Sequence, residues 1–305
     1  MGIEKSATTA LAHYLVSNFD VEYLDPGGNK EPKFLLQEKF SLGINRSKTR
    51  LLDASVMYAQ RTTALDKIPE NAQLILCLRN HFERTWSAFQ MHKTIASGGS
   101  RLEAYVSSHP SRKDWGTTDP TIAVREAVVD TFKLGVRDIV RTYWDQEAER
   151  IQSQSFLERV DYEIAFFLRK GQFPFLSILV HSFLSTPMKN IICRFAHDKY
   201  KVVNVNNLEC SQKRSAFINW LFPNEQHDGP AIPVVFSQSA TGEEEKKPNF
   251  SDDCFDTLRF YFHSDLMELK DRLEAADVDQ QFIDWQSMDR WITEALGFKS
   301  GRKHT

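Results

Sequence analysis

Apolar positions along the chain fall into two periods. Ala10, Leu11, Tyr14 and Leu15 recur at helical spacing and predict a helix from about Thr8 to Asn18, with Ser6 or Thr8 placed to cap its start. Gln73 to Leu78 (QLILCL) is a short, nearly continuous apolar run, the pattern of a strand buried on both faces of a parallel sheet. It leads into Arg79-Asn80-His81 and then a helix from about Glu83 to Lys93. Lys201 to Val205 (KVVNV) predicts a second such strand, followed by a helix over Ser211 to Phe222 that stops at Pro223. Phe255, Leu258, Phe262, Leu266, Leu269 and Leu273 trace the stripe of a long amphipathic helix. Strands alternating with helices predict a doubly wound α/β sheet.

Other stretches are less regular. Asp25-Pro26-Gly27-Gly28-Asn29 is a turn cluster, and Lys33 to Phe40 fits a short strand or a helix. Phe173 to Leu184 is the most apolar run; its length and its Ser177, His181 and Ser182 make it a buried helix rather than a membrane span. Ile95 to Lys170 opens with turn residues (Ser97-Gly98-Gly99-Ser100, then Gly116-Thr117-Thr118-Asp119-Pro120). Helical patterns follow near Ala123 to Phe132 and Ile139 to Ala165, as in an insertion that is mostly helical. Gly242 to Asn249 is a polar loop.

Composition narrows the function classes. A chain of 305 residues with 41% apolar and 26% charged residues has enough apolar material for a core. Lys plus Arg number 38 against 41 Asp plus Glu, without the basic excess expected of a general nucleic-acid binder. Cys77, Cys193, Cys210 and Cys254 lack zinc-ligand spacing and read as reduced thiols. Glu4 and Lys5 stand where the apolar part of a signal peptide would begin, so the expectation is a cytoplasmic protein with no membrane span.

Candidate chemistry begins at Gly2-Ile3-Glu4-Lys5-Ser6-Ala7-Thr8-Thr9-Ala10-Leu11. A tight turn entering a helix aims backbone N–H groups and the positive end of the helix dipole at one point, which suits a phosphate. Lys5 adds a mobile cation, and Thr8 and Thr9 add hydroxyls; taken alone, a capped helix with a solvated lysine fits the stretch as well. The spacing GxxxxGK[ST] is absent, which removes most support for an ordinary ATP- or GTP-hydrolysing enzyme. Arg79 ends a strand and Ser87 lies eight residues on, a guanidinium fork and a hydroxyl suited to a second phosphate.

In these segments the chain resembles the sulfotransferases that use 3′-phosphoadenosine 5′-phosphosulfate (PAPS). Their 5′-phosphosulfate loop, roughly K-x-G-T-T-x-L, is matched by Lys5 to Leu11 with Ala7 in place of Gly. Their 3′-phosphate motif, roughly R-N-P-x-x-R-x-x-S, is matched by Arg79 to Ser87 with His81 in place of Pro. Between them, Lys30-Glu31-Pro32-Lys33-Phe34-Leu35 is similar to the K-E-P-x-F-F segment of the carbohydrate (heparan-sulfate-like) branch. Leu52 to Tyr58 is similar to its S-P-x-Y stretch. Weaker likeness continues at Gly171-Gln172-Phe173 and from Val202 to Phe222, with Asn206-Asn207-Leu208 in place of Glu-Asp-Leu.

The resemblance implies a single domain of P-loop-like sulfotransferase fold: a central parallel sheet flanked by helices, with a helical insertion. Residues 1–94 would hold the nucleotide, 95–170 the acceptor side, and 171–305 the rest of the core. It also implies sulfuryl transfer from PAPS to an acceptor hydroxyl or amine, without a metal. Lys5 would neutralise charge on the leaving phosphate, and Ser6, Ala7, Thr8 and Thr9 would cradle it. Arg79 and Ser87 would hold the 3′-phosphate. Glu31 would act as general base, help typically worth ~10²–10⁴ in rate, with Lys30 beside it. Between Lys93 and Arg141 there are 8 Lys or Arg against 6 Asp or Glu, so a sugar, a glycolipid or a small natural product fits the acceptor equally.

The family's loop follows a buried strand, whereas this sequence starts at Met1-Gly2; the expectation is a loop poorly anchored on its N-terminal side. Two alternatives stand beside the active enzyme: a nucleotide-binding homologue that has lost turnover, and a kinase-like enzyme using ATP. His13 and His181 read as packing residues, and His92 as an acceptor-site or a surface residue. Lys246 and Lys247 lie in a loop that closes over the phosphates in relatives, or is simply exposed.

Overall fold

The computed structural model describes residues 7–24, 35, 50–55, 58–60, 62–97, 136–171, 173–174, 176–223, 232, 246–276, 278 and 280–296. Among them, four strands form two parallel pairs. β1 (Val21–Tyr23) pairs with β2 (Arg50–Leu52), Val21 opposite Arg50. β3 (Leu74–Leu78) pairs with β4 (Tyr200–Asn204), Leu74 opposite Tyr200 and Leu78 opposite Asn204. Parallel neighbours need a long crossover between them, and the chain supplies one of more than a hundred residues between β3 and β4.

Every residue of β3 is buried, because each face of this pair carries its own helical layer. Side chains alternate across a strand. Leu74, Leu76, Leu78, Tyr200 and Val202 face a core built with α3 (His81–Ser97), α5 (Phe156–Lys170), α6 (Ser185–Ile192), α8 (Asp256–Ala275) and α9 (Trp285–Leu296). Ile75, Cys77 and Val203 face a second core with α1 (Thr8–Asn18) and α7 (Ser211–Leu221). The arrangement is helix, parallel strands, helix: the mixed α/β class that the alternating pattern predicts. α2 (Thr62–Leu65) is a single turn between β2 and β3.

Two expectations need correction. The helical pattern from Ile139 to Ala165 is not continuous: α4 (Val136–Ser153) ends, and Ser155 starts α5. The Ser155 hydroxyl accepts from Glu158 N–H while the Glu158 carboxylate accepts from Ser155 N–H at 2.7 Å, a reciprocal cap that makes a new helix start cheaper than continuation. The Phe173 to Leu184 run is not a helix either. Leu176 takes a left-handed φ of 55°, Val180–Ser182 make one 3₁₀ turn, and α6 begins only at Ser185. The buried Glu163 carboxylate replaces the missing helical bonds. It accepts from Ile178 N–H (2.9 Å), Leu179 N–H (3.0 Å) and Ser177 Oγ (2.6 Å), and from Arg159 Nε at 2.7 Å. Arg159 also donates to Glu147 at 2.8 Å, so one buried ion cluster ties α4, α5 and this segment together. No described helix is long and apolar enough to cross a membrane.

Candidate functional site

Two helix starts open beyond the C-terminal ends of the strands. α1 runs back from its loop to feed β1, and Thr8 borders Leu52, Asp53 and Ala54 at the end of β2. α3 follows directly from the end of β3 through Arg79 and Asn80. In open α/β folds this edge is where ligands bind.

The two helix starts differ. Neither Ser6 nor Thr8 is the cap of α1; Ala7 holds that position, at φ 61° and ψ 16°, and makes no side-chain cap. A left-handed φ is costly for any residue with a Cβ, and it is the conformation that glycine, which stands there in the motif the sequence resembles, adopts without that cost. The first turn of α1 carries no acidic residue, and its first described intrahelical bond is Leu11 N–H to Ala7 C=O. The preceding N–H groups and the dipole therefore face outward without a side-chain cap, the arrangement that favours an anion. Thr8 is buried at the mouth and Thr9 is exposed.

α3 is capped from within. Asn80 Oδ1 accepts from Phe82 N–H (2.9 Å) and Glu83 N–H (3.1 Å), and Asn80 Nδ2 donates to Glu294 on α9 at 3.0 Å. The charge available here is that of Arg79, whose side chain is 39% exposed. Burial holds its guanidinium below the ordinary value, with the Glu83 carboxylate 3.9 Å away acting in the opposite sense. Glu83 also accepts from Lys247 Nζ. Lys247 thus reaches the first turn of α3, while Ser87 stands one turn beyond Glu83, half-buried. His81, where the family has Pro, is buried in the base of the site. Its Nε2 lies 3.0 Å from Asp265 on α8, which also accepts from Leu184 N–H and Ser185.

Asp53, Tyr58 and Leu35 form a third group. Tyr58 is buried and donates its hydroxyl to Asp53 Oδ2 at 2.6 Å, while Leu35 N–H donates to the same hydroxyl at 3.2 Å. Burial and the Asp53 carboxylate push the phenol well above its usual range, so it stays protonated. The tether holds Leu35, the last residue of the Lys30 to Leu35 motif, near the end of β2.

Ala7, Thr8, Thr9, Arg79 and Ser87 fall at or beside the two helix starts; Lys5, Ser6, Lys30 and Glu31 lie outside the described residues, as does the chain on the N-terminal side of the loop. Sequence reasoning missed Glu83, Asp53 and Tyr58. The Arg79, Glu83, Ser87 spacing of four and four was the available signal for Glu83; no local signal marks the Tyr58 contact with Leu35. His13 is exposed beside Tyr23, and His92 is buried on α3 rather than at the surface. Cys77 is buried and its thiol is pushed up to about 12 by burial. Cys210 is exposed at the head of α7, where the Lys213 and Gln212 N–H groups lower its pKa. No cluster of three or more His, Cys, Asp or Glu suited to a metal occurs among the described residues.

The fold and these ends define a three-layer α/β protein with two helix starts beside the ends of parallel strands. The particular fold is that of a solved sulfotransferase from Alicyclobacillus acidocaldarius: the two superpose with a TM-score of 0.52 over 92% of this chain and 94% of that one, at 16% sequence identity. No protein-family model matches the chain, and no curated protein sequence matches it.

Proposed function

We propose that this protein is a sulfotransferase that moves a sulfuryl group from PAPS to the hydroxyl or amine of an acceptor. One observation carries the reading: the start of α1, with left-handed Ala7, no side-chain cap and no acidic residue in its first turn, brings Thr8 into one small cavity with Cys77, two residues before Arg79. A ligand with two phosphates, one at each helix start, fits that pair. The likeness of fold to a sulfotransferase supports it, as do the motifs from Lys5 to Leu11 and Arg79 to Ser87.

In this scheme the N–H groups from Ser6 to Thr9 and the threonine hydroxyls bind the 5′-phosphate, and Lys5 neutralises the charge it gains as the S–O bond breaks. Glu31 takes the acceptor's proton as its oxygen or nitrogen bonds to sulfur. Arg79 and Ser87 hold the 3′-phosphate and fix the register. Positioning and charge stabilisation carry the rate, as in phosphoryl transfer. The Tyr58 tether holds Leu35, four residues after Glu31, at the end of β2. The 95–170 segment takes the acceptor, a sugar, glycolipid or small natural product.

Calorimetric titration with 3′-phosphoadenosine 5′-phosphate, beside 5′-AMP and ADP, tests this. Binding that requires the 3′-phosphate and weakens in Arg79→Ala is expected. Equal affinity for 5′-AMP, or a preference for ADP, refutes it. Glu31→Gln should keep nucleotide binding and lose transfer; an unchanged transfer rate removes Glu31 from the mechanism.

A further inference from the structure

Glu83 has no part in the scheme above, yet it sits at its centre. It lies four residues after Arg79 and four before Ser87, so any phosphate reaching both passes beside it. Its side chain is 40% exposed, and its two oxygens are shared: Oε2 is 3.9 Å from the Arg79 guanidinium, and Oε1 accepts from Lys247, a residue 164 positions away that is itself 48% exposed. The three half-exposed groups carry a net charge of +1, two cations bridged by one carboxylate.

We propose that Glu83 tempers phosphate affinity, an internal anion that holds Arg79 and Lys247 until a ligand phosphate displaces it. The proposal rests on the reading of Arg79 as a phosphate holder. A dianionic phosphate monoester brings twice the charge of the carboxylate and exchanges with it favourably. A diester or carboxylate ligand brings only the charge it must displace, and gains little. The carboxylate therefore weakens the hold on any ligand anion, on a dianion about twice as much as on a monoanion, and it offsets part of the cationic charge again once product has left.

The test compares Glu83→Gln with the unaltered protein in binding adenosine 3′-monophosphate and its methyl ester, a dianion and a monoanion at pH 8, at several salt concentrations. Removing one charge at about 4 Å should tighten the monoester roughly fivefold or more at low salt and the ester about half as much on a logarithmic scale, with a steeper salt dependence. The gain should vanish in an Arg79→Ala background, which fixes its location. Glu83 is half-exposed, so the melting temperature should stay near that of the unaltered protein, and Glu83→Asp should restore the weaker binding. Unchanged or weaker monoester binding in Glu83→Gln, an equal gain for the ester, or no binding of either probe overturns the proposal; a carboxylate that merely pins Lys247 would give the first result. The two readings fail separately. Should 3′-phosphoadenosine 5′-phosphate and 5′-AMP bind alike while Glu83→Gln still tightens the monoester, the sulfotransferase reading falls and Glu83 stands. A strict 3′-phosphate requirement with a silent Glu83→Gln is the reverse.

Discussion

Replacing Glu163 by Ala should be the most damaging single change in α4 and α5. Its carboxylate is fully buried and is shared by Arg159 Nε, Ser177 Oγ, Ile178 N–H and Leu179 N–H. Removing one partner of a buried ion pair costs about 3–5 kcal/mol. Arg159 keeps Glu147 at 2.8 Å, which holds that part near the lower end. Two backbone donors lose their acceptor in a dry segment, at about 1–3 kcal/mol each, less whatever water recovers. The sum is about 4–6 kcal/mol, a large share of the ~5–15 kcal/mol that holds an ordinary domain together. In a chain of this size it lowers the melting temperature by roughly 6–9 °C. Arg150→Ala is the control: its pair with Glu147 is 40% exposed on the arginine side, and such pairs contribute about 0–1 kcal/mol. Urea unfolding followed by tryptophan fluorescence measures both. A loss below about 2 kcal/mol for Glu163→Ala, or one no larger than for Arg150→Ala, would show that the 176–180 segment does not depend on this carboxylate.

Three further outcomes are expected. Ala7→Gly should stabilise the protein by about 0.5–1 kcal/mol, because relief of a left-handed Cβ outweighs the added chain entropy of glycine; a less stable variant in calorimetry contradicts the loop geometry. Tyr58→Phe keeps the buried ring and loses both hydroxyl bonds, so stability should drop by about 1–2 kcal/mol and the Leu35 amide should lose protection in hydrogen exchange, while nucleotide affinity is retained; an unaltered Leu35 amide refutes the tether. Burial alone would raise the pKa of Asp265, but hydrogen bonds from His81, Ser185 and Leu184 N–H outweigh it and hold the carboxyl below its usual value. Its contribution is thus complete above the unfolded value near pH 4 and is lost as pH falls through the lower folded value. Asp265→Asn should flatten the acid limb of a stability-against-pH curve in that window, and an unchanged limb would mean that other carboxylates govern it.

Elements whose packing follows from their own residues were legible in advance. α1, β3, β4, α7 and α8 carry period or run patterns long enough to stand alone, and the structure places them within a few residues of the expected bounds. β1 and β2 span three residues each, too few to alternate visibly. The Phe173 to Leu184 stretch was unreadable for another reason: a continuous apolar run suits any buried conformation, and the choice is made by Glu163, on another helix. The break before α5 was legible after all, in Ser155 and Glu158 three apart. At the site, Ala7 and Arg79 were found through their spacing, whereas Asp53 and Tyr58 owe their place to Leu35, and Glu83 to Lys247, contacts that only folding creates.

α1 also acts as a gauge between the two parallel pairs. Among the described residues no ladder joins β2 to β3. A small apolar cavity of about 30 Å³ lies between them, lined by Leu11, Ala12 and Leu15 of α1, by Leu52 and Ala54 on one side, and by Ile75 and Cys77 on the other. It has room for little more than a water molecule or two. Hydrogen-bonded strands keep a fixed spacing of about 4.8 Å, whereas this seam is spaced by side-chain bulk. Thr8 travels with one pair and Arg79 with the other, so the span between the two helix starts follows the volume of residues such as Ala12 and Ala54. Bulkier residues there would widen the span and thinner ones narrow it, without any change in the groups that meet the ligand. Reach between two charged ends is, in this chain, a property of its packing.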